Sequence, residues 1–446
     1  MKKVLTILLA SSLTLGLAAC GSSSNGAKDT PAPSTAPATE KPSEKPADKP
    51  VTVTFQNIYP DPTAPNNKIM KKIVADFEAS HKNIKIELDS LNTDQQKIKL
   101  KTQAASGEVP DITIVNPAAQ MKPFVDGGIL EPLDDMLGNG LKETFQSGIL
   151  DYYSFNDKVY ALPDGNNLGV VFYNKELFAQ AGVEVPKTFE DLVEVAKKLK
   201  AKGITPIAVG EKDTWTGSFL FMNIVLRTNN GPNFLKDVLE KKKTFNDPAF
   251  VEAVQKLEDL VQVKGFQDGA TAVDQNAAGN LFKSGKAAMH YIGTWETGGM
   301  DASAIKDKVG VFKFPTVGGK GDPDQFMLAP GSAFAVSAKS KHMKETKEFL
   351  AYFMTNYPKV SFEMKNAVGI AQKVDGDFTA AGYSPLAMEV LGLFKGVKGG
   401  DLAFDNTMNP ATAQTHLTSI QRVFVEQIKP ENVAKEHQAS FDANNK

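Results

Sequence analysis

Cysteine is nearly absent: Cys20 stands alone among 446 residues, so no internal disulfide can form. Arginine is almost as scarce, with only Arg227 and Arg422, and 50 basic residues are offset by 52 acidic ones. A net charge of −2 gives no electrostatic case for nucleic acid, and the shortage of arginine argues against a cleft built for phosphate groups. The five histidines, at 81, 290, 342, 416 and 437, show no metal-ligand spacing, and the chain has no Gly-x-Ser-x-Gly nucleophile elbow. No metal, no cofactor and no catalytic residue is therefore expected. Acid/base carboxylates scattered along the chain keep a carbohydrate-cleaving enzyme open as an alternative.

The only extended apolar run lies at the start. MKKVLTILLASSLTLGLAAC has Lys2 and Lys3, an apolar stretch from Val4 to Ala19 and then Cys20, the pattern of a secretory signal peptide over residues 1–19. The stretch is too short and too diluted by Thr, Ser and Gly16 to favour a spanning helix, which needs roughly 20 mostly apolar residues. Leu17-Ala18-Ala19-Cys20 resembles the lipobox of bacterial lipoproteins, in which the cysteine after the cut carries the lipid; the alternative is an ordinary secretion signal with a chance cysteine. Residues 21–50 contain six prolines, four acidic and four basic residues, and no Val, Ile, Leu, Met or aromatic. Such a segment cannot bury enough surface to offset its ordering entropy and reads as a linker, reaching up to roughly 90 Å if fully extended.

From residue 51 the pattern is α/β. VTVTF (51–55) alternates like a strand, Ile69, Met70, Ile73, Val74 and Phe77 share a helical face, and IKIEL (84–88) and DITIV (111–115) follow as strands. After the polar joint PDGNN (163–167) comes the strand LGVVFY (168–173). Thr188 and Asp191 form a capping box ahead of a stripe of Leu192, Val195, Ala196 and Leu199, and PIAV (206–209) returns as a strand. Asp247-Pro248 opens another helix, VGVFKF (309–314) and AFAV (333–336) read as strands, and a helix carrying Phe349, Leu350, Phe353 and Met354 is expected to stop near Pro358. The alternation predicts two α/β lobes.

Two motifs fail. GNLFKSGKA (279–287) has one residue too many for a phosphate-binding loop and Ala287 where Ser or Thr is needed. Asp134-Asp135 suit a helix start better than a catalytic pair.

What remains is binding. Both tryptophans, Trp215 in EKDTWTG and Trp295 in HYIGTWETGGM, are expected in loops, the second between Gly293 and Gly298-Gly299. Loops leaving the carboxyl ends of strands line the crevice of an α/β sheet. Those loops offer Asn57, Tyr59 and Asp61, then Asn116, then Asp164, Asn166 and Asn167, with Tyr173 at the end of the next strand. An aromatic face beside amides and carboxylates suits a sugar, which is apolar on its C–H face and rimmed by hydroxyls. Packing anchors for the tryptophans, and turn or capping roles for the Asx residues, are the competing readings.

At these residues the chain resembles the family 1 extracellular solute-binding proteins of bacterial ABC transporters, the group that includes maltose-binding protein. The resemblance runs through AASGEVPDITIV (104–115), FVDGGILEPLDDML (124–137), the block 159–209, LFKSGKAAMHYIGTW (281–295) and PGSAFAVS (330–337). It implies a two-lobed periplasmic-binding-protein-like fold with crossings near 164, near 315–325 and near 358. The N-terminal lobe would comprise 51–164 plus about 326–357, and the C-terminal lobe 165–325 plus about 358–446. It further implies hinge closure over a carbohydrate, sugar stacking on Trp295, delivery to a membrane permease, and a monomer held by lipid at the outer face of the cell membrane. A non-sugar polyol is the alternative ligand.

Overall fold

The computed structural model describes residues 50–445. Cys20, the signal segment and nearly all of the linker lie outside them. In chain order the strands are β1 (Val51–Asn57), β2 (Ile84–Ser90), β3 (Ile112–Val115), β4 (Ser154–Phe155), β5 (Lys158–Val159), β6 (Ala161–Pro163), β7 (Asn167–Asn174), β8 (Thr205–Ala208), β9 (Ala287–Gly293), β10 (Val309–Phe312), β11 (Phe326–Ala329), β12 (Ala333–Val336) and β13 (Gly400–Leu402).

They form two main sheets. The first runs β2-β1-β3-β12-β6, and the second runs β13-β11-β7-β9-β8 with β10 also paired to β7. In the first, β1 to β3 are parallel while β12 opposes β3 and β6. In the second, β8 and β9 are parallel and β7 opposes β9, β10 and β11. Three segments pass between the sheets: 164–166, 330–332, and the stretch after the helix Met343–Glu363.

Two expectations are corrected here. The second crossing comes at 330–332 and not at 315–325, because β11 takes its backbone partners from β7 and β13 in the second sheet. The helix expected to end near Pro358 runs on to Glu363. An interior proline costs about 3 kcal/mol, and buried Phe353, Tyr357 and Val360 hold this helix on the first core. That core is a set of edge-to-face rings, with Phe55 against Phe334, Phe349 and Phe353 at 5.4 to 5.8 Å. The capping box is present, with Asp191 N–H donating to Thr188 Oγ1 at 3.1 Å and Thr188 N–H to Asp191 at 3.0 Å.

The C-terminal helices complete the second core around Phe221, Phe245 and Phe250. Helices Trp215–Thr228, Pro410–Val423 and Pro430–Asn444 are joined by a buried polar chain. Val433 O can only accept, so His437 donates to it through Nδ1 (2.7 Å); His437 Nε2 then accepts from His416 Nδ1 (2.8 Å), and His416 Nε2 from the Ser218 hydroxyl (2.8 Å). With both rings neutral, every link is satisfied in this sense. Burial lowers the pKa of both histidines, His437 to about 4.

A depressed folded-state pKa gives stability that is present above the unfolded value near 6.5 and lost as pH falls through the folded value. The stability difference between wild type and His437→Asn, measured by denaturant melts, should therefore shrink between about pH 6.5 and pH 4; a constant difference would contradict the neutral chain.

Candidate functional site

The edges of the two sheets face one another for a covalent reason. Only residues 164–166 separate β6 from β7, and only 330–332 separate β11 from β12. On the first sheet Ala333 pairs with both Val115 and Pro163, so this edge also carries the carboxyl ends of β1, β2 and β3. On the second, Ala329 pairs with Asn167 and Gly169 with Gly293, so the matching edge carries the ends of β8 and β9. Loops at carboxyl ends from both sheets thus border one crevice.

From the second sheet come both indoles. Trp295 does not lie in an irregular loop but in a single 3-10 turn, Thr294–Glu296, directly after β9. Trp215 is corrected from loop to helix: it is the first residue of Trp215–Thr228. Thr214, left-handed at φ 56°, supplies no cap, and Glu211 takes that role, accepting from Gly217 N–H at 2.5 Å and the Thr216 hydroxyl at 3.1 Å. Burial pushes Glu211 up to about 8 despite these bonds. The two ring centroids are 6.2 Å apart, Phe219 lies 5.9 Å from Trp295, and both indoles are only partly buried. Trp215 Nε1 is enclosed without a partner.

Gly293 explains the glycine before Trp295. The indole folds back over it, and a β-carbon there would overlap the ring carbons Cζ3, Cε3 and Cη2. Behind the turn, Lys283 and Glu296 pair at 3.4 Å.

From the first sheet, Asn57 is fully buried, its Oδ1 accepting from Tyr59 N–H at 3.0 Å while Nδ2 has no partner. Asp61 is exposed in a turn closed by Thr63, whose hydroxyl and N–H hold its pKa down. Asn116 is half-buried after β3.

The joint residues are engaged in the crossings themselves. Tyr59 donates its hydroxyl to Asp164, whose carboxyl burial pushes up to about 6 against that bond. Asn166 N–H donates to Gly369 O at 2.7 Å and its side chain to Gln146 at 2.6 Å. Asn167 Oδ1 accepts from Thr294 Oγ1 at 3.0 Å. Tyr173 is not brought to the crevice: it lies about 20 Å along β7 at ~3.3 Å per residue, packed on Phe178 and Phe312.

Sequence reasoning missed Asp94, Thr294 and the rim. Asp94, just past β2, faces Asp213 and Asp274 of the other half; burial and those acids push it up to about 7 against Lys97. In sequence it reads as a first-turn helix acid behind the Asn92 cap. At the rim Gln120 Nε2 donates to Asp405 (2.8 Å) and Asn406 (2.6 Å), so the halves touch. Among the described residues no group of three or more His, Cys, Asp or Glu could hold a metal ion, and no helix is long and apolar enough to cross a membrane.

Comparison with known proteins gives this architecture a family. Residues 61–356 match the bacterial extracellular solute-binding protein family, and the chain belongs to it. It is 28% identical over 295 residues to the multiple sugar-binding protein of Streptococcus mutans, covering 64% of this chain and 68% of that one. Among solved structures, one from a study of xylan utilization by the thermophilic bacterium Caldanaerobius polysaccharolyticus superposes with a TM-score of 0.81 at 31% identity, covering 87% of this chain and 99% of that chain. A chitin oligosaccharide binding protein reaches 0.80 at 28% identity, covering 89% and 99%. The fold is accordingly two-lobed α/β with a hinge between the lobes.

Gly293→Ala should lower stability by about 1–3 kcal/mol, the usual cost of overpacking, and alter the near-UV tryptophan circular dichroism. Gly392→Ala, in the open on the helix Pro385–Lys395, should leave that spectrum unchanged and stabilise slightly. Indistinguishable spectra for all three proteins would contradict the folded-back indole.

Proposed function

We propose that the protein captures an oligosaccharide between its lobes as the binding subunit of an ABC importer and presents it to a membrane permease. The observation that carries this reading is the pair of half-buried indoles, 6.2 Å apart, on the edge that faces the first sheet's polar loops. Stacking would cover the sugar's C–H face. Asn57 Nδ2 and Trp215 Nε1, enclosed and unpartnered, are donors suited to hydroxyl oxygens, and Asn116, Asp61 and Asp94 supply further polar groups at the rim. Leaving such groups unpaired costs about 1–3 kcal/mol each, so a ligand that satisfies groups on both lobes favours the closed state. Relatives named for multiple sugars and chitin oligosaccharides support a carbohydrate.

The lobes are taken as 51–164 with 333–363 and 167–329 with the C-terminal helices, in keeping with sheet membership. The protein works as a monomer without cofactor or chemical turnover. Cys20 carries a lipid that holds it at the outer face of the cell membrane, the linker giving the body reach.

Tryptophan fluorescence titrated with xylo-, chito- and malto-oligosaccharides should saturate for at least one series, and Trp295→Ala should weaken that binding about thirtyfold, the effect of losing a contact worth about 2 kcal/mol. Silence across the panel would reject the sugar. Cys20→Ala should move the protein from the membrane fraction to the medium; continued membrane association would reject the anchor.

A further inference from the structure

Thr294 is fully buried and carries no obvious duty toward a ligand, yet it holds two groups at once. Its Oγ1 accepts from Leu168 N–H at 3.1 Å and donates to Asn167 Oδ1 at 3.0 Å. Thr297 in turn donates to Thr294 O at 2.7 Å, tying the following helical turn to the same residue. The residue next to Thr294 is Trp295.

Asn167 is gripped from the other side by two crossings. A β-carbon at Gly165 would overlap its Nδ2, and one at Gly369 would overlap its Oδ1 and approach Thr294 Oγ1 to 3.3 Å. Gly369 also has φ +76°, which favours glycine independently of space. Those crossings are bonded to each other: Asn166 N–H to Gly369 O at 2.7 Å, Ala371 N–H to Asp164 O at 3.2 Å, and Gly165 paired with Ile370. The crossing at 330–332, through Gly331 at φ +87°, packs against Gly165 and Asp164. The Asn167 amide is therefore the plug around which two of the hinge segments close, and its one side-chain acceptor is committed to the tryptophan turn.

We propose that Thr294 and Asn167 are positioning residues that couple the hinge to the Trp295 turn, so that the angle of the crossings and the placement of the indole change together. Neither needs to touch the solute. The one hydroxyl proton of buried Thr294 goes to the Asn167 carbonyl oxygen, so rotating the crossings must either carry the turn along or break the Thr294–Asn167 bond. For the ligand arm of the test the inference rests on the carbohydrate-binding reading above; for the hinge arm it does not.

Thr294→Val keeps the shape and removes the hydroxyl, Thr294→Ser keeps the hydroxyl, and Asn167→Ala removes the plug. Residue-resolved hydrogen exchange of the full chain without ligand reads the Asn166 amide, whose acceptor, Gly369 O, none of these changes removes. Thr294→Val and Asn167→Ala should speed its exchange at least about tenfold, Thr294→Ser should restore it, and Val170 to Phe172 inside β7 should stay as in wild type. An unchanged Asn166 amide in Thr294→Val, or equal acceleration throughout β7, would overturn the coupling. Should Thr294→Val not fold, Asn167→Ala against wild type carries the same comparison. With xylotriose and chitotriose as probes, Thr294→Val should bind about tenfold more weakly through faster dissociation while the quench at saturation persists. Wild-type affinity in that variant would overturn the proposal. Silence of the wild type toward both sugars and toward maltotriose would reject the carbohydrate reading alone, with the hinge arm still deciding the coupling.

Discussion

Two connections of three residues each hold the functional edges of both sheets against one another. Because 164–166 and 330–332 are so short, the carboxyl ends of β1 to β3 and of β8 and β9 cannot be far apart, whatever angle the lobes adopt. The third connection ties in through backbone bonds to Asp164 and Asn166. Everything proposed for the crevice depends on this constraint: groups widely separated in sequence, such as Asn57 and Asn116 on one side and the paired indoles of Trp215 and Trp295 on the other, are delivered to one opening by chain geometry.

The chemistry divides along the same line. Residues on the rims have spare capacity: half-buried indoles, an unpartnered Asn57 amide, and Asp94 facing two acids across the gap. Residues in the crossings are bonded chiefly to one another and to neighbouring turns. Asp164 is committed to Tyr59, Asn166 to Gln146 and Gly369, and Asn167 to Thr294. This division suits a protein that closes and opens: the hinge segments are bonded to one another, and the rims are left to a solute.

Much of the fold was legible because local pattern and tertiary role agreed. The alternating β1, the amphipathic helix after it and the Thr188–Asp191 capping box obey rules that act within a few residues. β11 was not legible, since four residues behind a Gly- and Asp-rich loop become a strand only through pairing with β7 and β13. The glycines around Trp295 pointed to a presented side chain, whereas the reason for Gly293, an indole lying over it, needs coordinates. Asn167 read as a ligand contact because it sits in the polar joint, among loops expected to line the crevice. Its partner lies more than a hundred residues away, and no local rule reports that.

The central claim is that solute is held between the two edges by groups from both lobes. A crystal structure of the protein grown with its tightest-binding oligosaccharide tests this most directly. The account predicts a sugar ring against the Trp295 indole with at least one hydroxyl bonded to the Asn57, Asn116 or Asp61 side of the crevice. A sugar bound to one lobe only, or outside the crevice with both indoles uncontacted, would contradict it.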